Sequence, residues 1–322
     1  MRAPDFWYDD SGIGRLLEPV GLIYGAVTAR RIARATPVRA SKPVICVGNL
    51  TVGGTGKTPI AASIAARLSD QGRTPAILLR GYGGSVAGPV KVSAHSHTVD
   101  EVGDEALLHA RAGATWVARK RSLAAPLAIA DGADVLIMDD GHQHPSLAKD
   151  LSLVVVDGVS GFGNGRIVPA GPLREPVAVG LKRADAVVLM GEDPNNLAAR
   201  LAERLPVLRA HLALGPEWQT LRGQKVVAFA GIGGPERFLN TLQAVGARVV
   251  AFHPFGDHYG YAAADIETIL DEAYNLNALP VTTVKDAVRL DPDQRQQVNV
   301  LTIKAAWEDS DALDALLDKV LA

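Results

Sequence analysis

The chain has 322 residues, 48% hydrophobic and 21% charged, with 33 Lys plus Arg against 35 Asp plus Glu. The formal net charge of −2 excludes a broadly basic nucleic-acid binder, and the single cysteine, Cys46, excludes a disulfide framework or a Cys-based zinc site. The length suggests about two domains. No apolar run reaches the roughly 20 residues of a bilayer span, and the opening residues show no signal-peptide pattern, so the expectation is a cytosolic α/β protein.

In chain order, the first feature is Ser11–Ala40. Ile13, Leu16, Leu17, Val20, Ile23, Tyr24 and Val27 recur there at helical spacing, and Arg30, Arg31, Arg34 and Arg39 follow. Two readings stand side by side: an amphipathic helix lying among anionic headgroups, or an ordinary helix packed on the core. Short β-branched runs come next, at Val44–Val47, Ala76–Leu79, Val135–Met138, Leu153–Val156 and Ala186–Met190. Strands read this way when helices cover both faces of a parallel sheet. Ile60–Leu68, Asp104–Ala112 and Ser122–Ala130 carry apolar residues at helical spacing between them, which makes a doubly wound α/β pattern. Arg204–Arg222 is weakly periodic and marks a boundary. Beyond it, strands are expected at Val226–Ala230, Val249–Phe252, Val281–Val284 and Val298–Ile303, and helices at Glu236–Val245, Ala263–Tyr274 and Asp309–Leu321. The division this predicts is an N-terminal interfacial segment over 1–40, a phosphate-loop core over 41–210 and a smaller α/β lobe over 211–322; the alternative is one large sheet with insertions.

The strongest chemical signal follows the first strand. Gly53, Gly54, Thr55, Gly56, Lys57 and Thr58 join a strand to a helix, with Pro59 near the helix start. Glycines let successive backbone N–H groups turn inward and cradle phosphate oxygens. Lys57 is placed to reach the β- and γ-phosphates of a nucleotide, and the Thr58 hydroxyl to bind Mg²⁺. The pattern departs from the usual motif in one respect: Thr51 stands where the first glycine belongs. Asp139 and Asp140 end an apolar strand, and two adjacent desolvated acids are costly unless they meet a cation.

Other candidates are ambiguous from the residues alone. Asp104 and Glu105 open a helix, where acids also serve to complement the helix dipole. His258, between Asp257 and Tyr259, is either functional or part of a structural hydrogen-bonding cluster. Arg80 and Arg174 lie on loops and either neutralise phosphate charge or are solvated.

Taken together, these motifs resemble the tetraacyldisaccharide 4′-kinases of lipid A biosynthesis. The matching segments are Gly48-Asn49, Gly53 to Pro59, Arg80 to Gly83, Gly103 to Glu105, Asp139 to His144, Gly171 to Pro176, Gly231 to Phe238, Phe255 to Tyr259 and Thr282 to Asp286, in family order over almost the whole chain. The resemblance implies transfer of the ATP γ-phosphate to the 4′-hydroxyl of an acylated glucosamine disaccharide held in a membrane. It implies that Asp104 is the base, that His258 pairs with it and tunes it, and that Asp139, Asp140 and Glu105 serve Mg²⁺ with Thr58. Within the matching motifs, Asn49, Arg80, Tyr82, Gln143 and Arg174 are expected at the substrate. His142 stands where an aromatic such as Phe is more usual, and Gly256 where Pro is common.

On this resemblance the acceptor sugar belongs between the two lobes, and closure of the gap would exclude water. An acylated acceptor also favours the interfacial reading of Ser11–Ala40, with peripheral attachment to the cytoplasmic face of the inner membrane. No nucleic acid and no obligate protein partner is expected. Two competing readings remain: a phosphate-loop kinase or ligase acting on a soluble molecule, and a nucleotide-hydrolysing switch that works through a protein partner.

Overall fold

The apolar runs assemble into the middle of a nine-stranded sheet in the structure, a computed structural model that describes residues 4–321. Its strands are β1 (Val44–Gly48), β2 (Pro75–Leu79), β3 (Val90–Lys91), β4 (Ala114–Val117), β5 (Val135–Asp139), β6 (Leu151–Asp157), β7 (Ala186–Met190) and β8 (Val207–Leu214), joined late in the chain by one more. A second, all-parallel sheet holds β9 (Lys225–Ala230), β10 (Arg248–Pro254), β11 (Leu279–Thr283) and β12 (Asn299–Leu301), in the order β10-β9-β11-β12. The remaining strand of the large sheet is β13 (Ile303–Trp307). The large sheet runs β13-β8-β7-β6-β1-β5-β2-β4-β3 and is parallel except at its two edges, where β13 and β3 run antiparallel.

β1 lies between β5 and β6, with Val47 opposite Asp139 on one side and Leu153 on the other. The chain fills one flank of β1 first and then the other, so the loops after β1 and β6 diverge. Crevices at such reversals, beyond the carboxyl ends of parallel strands, are where these sheets hold ligands. Every residue of β1 and β5 is buried, as continuous apolar strands covered on both faces require.

The C-terminal stretch departs from the expected division. β8 falls inside the weakly periodic 204–222 boundary, and it pairs with β7 in the large sheet. The single strand expected over Val298–Ile303 is two strands, β12 in the small sheet and β13 in the large one, split at Thr302. The closing helix, Ser310–Leu321, buries Leu313 and Leu317 in the same apolar core as Ile60, Ile64 and Leu68 of the helix after the phosphate loop. Arg67 of that helix also forms an ion pair with Asp314. The expected 211–322 lobe therefore does not coincide with the small sheet. That sheet and its helices form an insertion between β8 and β13, and the chain returns to finish the large core.

The N-terminal helix, α1 (Gly12–Ala33), packs in an unusual sense. Ser11 caps it, accepting from the Gly14 N–H at 3.3 Å. Its buried residues are Gly14, Gly21, Gly25 and Thr28. A Cβ at Gly21 would lie 2.5 Å from the Ile167 carbonyl oxygen, so only glycine there lets the helix settle on that loop, and Gly25 leaves room for the Ile167 side chain. The large apolar residues point away from the protein: Leu16 is 80% exposed and Ile23 67%, and Ile13, Val20, Leu22 and Val27 are exposed as well. Among the described residues no helix is long and apolar enough to cross a membrane.

Candidate active site

The loop between β1 and α2 (Lys57–Asp70) has the backbone a phosphate cradle needs. Gly53 and Gly56 have φ of 115° and 89°, values that side-chain-bearing residues avoid. Asn49 is fully buried beneath the turn and donates to Thr55 Oγ1 at 3.2 Å. It braces the loop from below. Gln143 is likewise a support, donating to the Asn49 carbonyl at 2.7 Å and to Glu175 Oε1 at 2.9 Å. Lys57 Nζ folds back toward the Gly53 carbonyl at 3.5 Å and lies 3.9 Å from Asp140. Burial draws its ammonium below the usual lysine range, against the pull of Asp140.

The two acids after β5 have different surroundings. Asp140 adopts φ 52°, an uncommon left-handed backbone for a non-glycine residue, and Arg174 Nη1 donates to both its carboxylate oxygens at 2.8 and 2.9 Å. Asp140 is thus the counter-ion of Arg174 and Lys57. Burial opposes the Asp140 charge, but these two cations hold the carboxyl below its ordinary value. Asp139 is buried and accepts at Oδ2 from His109 Nε2 at 2.9 Å, while its Oδ1 is buried with no partner. The carboxylate can only accept, so His109 carries its proton on Nε2. Arg121 donates to the carbonyls of both acids, at 3.3 and 3.2 Å, and fixes the turn.

Among the described residues no three His, Cys, Asp or Glu side chains gather into a metal cage. Magnesium at a nucleotide site needs none: it keeps waters and phosphate oxygens and takes one or two protein groups. The unpaired oxygen of Asp139 and the Thr58 hydroxyl, which lies 3.4 Å from Glu105 Oε1, fit that requirement.

Asp104 and Glu105 begin the helix Asp104–Ala110, and residues of the small lobe reach both. Asp104 is 4% exposed and its Oδ2 accepts from His258 Nδ1 at 2.9 Å and from Arg289 Nη2 at 2.6 Å. Burial would raise the carboxyl, yet these two donors prevail and hold it well below the usual carboxylate range. The same carboxylate holds the His258 imidazole above its ordinary value, despite partial burial. His258 has φ 58°, so two of the candidate site residues keep left-handed backbones that only a supporting framework sustains. Arg289 is in turn held by Asp286 at 3.0 Å and the Gly231 carbonyl at 2.7 Å. Asp286 is itself fully buried, taking hydrogen bonds from the Gly231 N–H and the Tyr261 hydroxyl at 2.9 Å each.

The expected residues are therefore brought together in three groups: Lys57, Asp140 and Arg174; Thr58 and Glu105; Asp104 and His258. Arg80 and Tyr82 stay on the exposed loop after β2, with the Tyr82 ring 6.2 Å from that of His258. Arg289, Asp286, His109 and Arg121 escape sequence reasoning. Only Asp286 left a trace: it stands three residues after Thr283, whose side chain caps the short helix Val284–Ala287 and accepts from the Asp286 N–H.

A backbone phosphate cradle with its lysine, a hydroxyl and an unpaired acid, together with a buried carboxylate hydrogen-bonded to residues of the small lobe, define a phosphate-loop phosphotransferase. The sequence profile of the tetraacyldisaccharide-1-P 4′-kinase family matches residues 13–322, and the chain belongs to that family. It is 56% identical over 325 residues to the tetraacyldisaccharide 4′-kinase of Rhodospirillum rubrum, covering all of this chain and 98% of that one. It is 52% identical over 322 residues to that of Paramagnetospirillum magneticum, covering 99% of each. Among solved structures, the crystal structure of LpxK from Aquifex aeolicus in complex with ATP superposes with a TM-score of 0.77 at 26% identity, over 96% of this chain and all of that one.

Proposed function

We propose that this chain transfers the γ-phosphoryl group of ATP to the 4′-hydroxyl of an acylated glucosamine disaccharide 1-phosphate, with Asp104 as the base and His258 as its partner. The observation that carries the residue roles is the Asp104 cluster. An ionised carboxylate from the large domain meets an imidazole and a guanidinium from the small lobe, next to the phosphate loop. Phosphoryl transfer needs mostly positioning and charge neutralisation, so an ionised acceptor that aims the attacking hydroxyl suffices as base. Asp104 Oδ2 is committed to His258 and Arg289, whereas Oδ1 accepts only the Glu105 N–H at 2.9 Å. A carboxylate oxygen has two lone pairs, so Oδ1 keeps one for the sugar hydroxyl and takes its proton as the new P–O bond forms, the bond from the γ-phosphorus to the bridging oxygen breaks and ADP leaves. Lys57 and the backbone of 53–56 hold the nucleotide phosphates. Asp139 and Thr58 would hold Mg²⁺, which neutralises charge on the β- and γ-oxygens when bound.

The acceptor's acyl chains set where this happens. We place α1 in the cytoplasmic leaflet interface of the inner membrane, with its outward apolar face among the acyl chains and Arg30, Arg31 and Arg34 among anionic headgroups. Its exposed residues support this, because each Leu or Ile left in water forgoes about 1.5–3 kcal/mol. The deciding assay supplies radiolabelled ATP and a tetraacylated diglucosamine 1-phosphate in mixed micelles and maps the position of the label. Phosphate on the 4′-oxygen is the expected result; label on a soluble acceptor in preference to the lipid would overturn the reading.

A further inference from the structure

One side chain of the small lobe enters the site and has no part in the scheme above. The segment Thr283–Arg289 delivers two cations, four residues apart, to two consecutive carboxylates of the large domain. Arg289 reaches Asp104 at 2.6 Å, and Lys285 Nζ reaches Glu105 Oε1 at 3.4 Å. Lys285 lies on the short helix Val284–Ala287 and Arg289 just beyond its C-cap Val288, and that helix packs against the helix Asp104–Ala110.

The two cations differ in kind. Arg289 is 3% exposed and locked by Asp286, the Gly231 carbonyl and Asp104. Lys285 is 37% exposed and has the one charged partner, and that partner is shared: Glu105 Oε1 also accepts from Thr58 Oγ1 at 3.4 Å. The ammonium thus lies within two hydrogen-bond lengths of the hydroxyl that begins the phosphate-loop helix. Exposed ion pairs contribute little to stability, on the order of 1 kcal/mol or less, so bracing the lobes is a poor account of a lysine at this spot. A flexible, half-exposed ammonium beside a nucleotide's terminal phosphate is, by contrast, well suited to follow charge as it moves onto the transferred group.

We infer that Lys285 is a second phosphoryl-binding lysine, supplied by the small lobe and held on Glu105 until a nucleoside triphosphate arrives, when its ammonium moves to the terminal phosphate. The site would then draw on two lysines from two lobes: Lys57 from the loop itself and Lys285 across the gap. A triphosphate would engage both, and a diphosphate only the first. The inference rests on the proposed phosphotransfer for its kinetic consequence but not for its binding consequence.

The experiment compares Lys285→Ala, Lys285→Gln and Lys285→Arg with the unmodified chain. Affinities for a non-hydrolysable ATP analogue and for ADP, each with Mg²⁺, are measured by titration, and turnover on the acylated disaccharide is measured in micelles. Removing the ammonium is expected to weaken the ATP analogue about tenfold while leaving ADP within about twofold, and to lower kcat on the order of 10²-fold with little change in KM for the lipid. Lys285→Arg keeps the charge and should recover most of both losses. Equal weakening of ATP analogue and ADP, or unchanged affinity and turnover in Lys285→Ala, overturns the inference. If the unmodified chain does not phosphorylate the disaccharide, the functional reading falls, while the ratio of ATP-analogue to ADP affinity still decides the role of Lys285.

Discussion

The two halves of the site are built in opposite ways. The nucleotide half is local and mostly backbone: six consecutive residues, Gly53 to Thr58, turn on one strand end and are braced from below by Asn49 and Gln143. The acceptor half is assembled from side chains far apart in the chain, with Asp104 meeting His258 across 154 residues and Arg289 across 185. A backbone cradle is rigid and tolerant of which side chains surround it. A charge cluster bridging two lobes exists only when both lobes are in register, and Asp104 and His258 each hold the other in its charged form. Damage should therefore be additive in the first half and strongly non-additive in the second.

Asp104→Asn gives the sharpest test of that contrast. Asparagine keeps the size and some of the hydrogen bonds but cannot take a proton, so kcat should fall by about 10³-fold while the protein stays folded. Near-normal turnover on the lipid disaccharide would remove Asp104 from the chemistry. Lys57→Ala should follow, with a loss of about 10²-fold in kcat and weaker ATP binding, because the backbone cradle continues to hold the phosphates. His258→Ala should cost less, about tenfold to 30-fold, since Arg289 still orients the carboxylate. Combining Asp104→Asn with His258→Ala should cost little beyond the first change, as residues acting as one unit are not additive. Full additivity on a logarithmic scale would mean the two act separately.

The contrast also explains what could be read in advance. The phosphate loop was legible because its chemistry is contiguous, and Asp139 because it ends an apolar strand that pairs with β1. Asp104 and His258 are individually unremarkable, an acid in a helix's first turn and a loop histidine, and family resemblance was needed to join them. Arg289 and Asp286 went unread because nothing in a linear sequence ties a C-terminal arginine to an acid 185 residues earlier. The same applies to the fold. β1, β5 and β7 are fully buried and so continuously apolar, whereas β8 is half exposed, has polar residues such as Arg209 and His211, and resembles a linker. β13 was merged with β12 because only Thr302 separates them, and which sheet each joins is a tertiary matter.

Outside the site, α1 inverts ordinary helix packing, with glycine inward and aliphatic side chains outward. Replacing Leu16 and Ile23 together by Glu should lower co-sedimentation with anionic vesicles by about tenfold or more, given the transfer free energy of two such side chains. Because both are largely exposed, the thermal midpoint should move little. Unchanged vesicle binding with an intact fold would argue against the interfacial placement of the helix.

The smallest effect on activity is expected where the nucleotide half is merely supported. His142 is buried behind the phosphate-loop strand, with Nδ1 3.1 Å from Ser152 Oγ and Nε2 3.0 Å from the Gly180 carbonyl. The carbonyl can only accept, so the proton sits on Nε2 and the ring is neutral. Burial, with Lys149 and Arg183 nearby, pushes its pKa down to about 4. A histidine that resists protonation in the folded chain but not in the unfolded one leaves stability whole above its ordinary value near 6.5 and erodes it as pH falls toward 4. In His142→Phe that pH dependence is absent. The variant should be less stable by about 1–2 kcal/mol above pH 7, where it lacks the two hydrogen bonds. Its disadvantage should then shrink as pH falls through the 6.5-to-4 window, with kcat staying within about twofold throughout. Denaturant unfolding at a series of pH values reads this directly. Parallel stability curves for the two proteins would show that the buried imidazole is not the group that titrates, and a large loss of turnover would move His142 from supporting the loop to taking part in the chemistry.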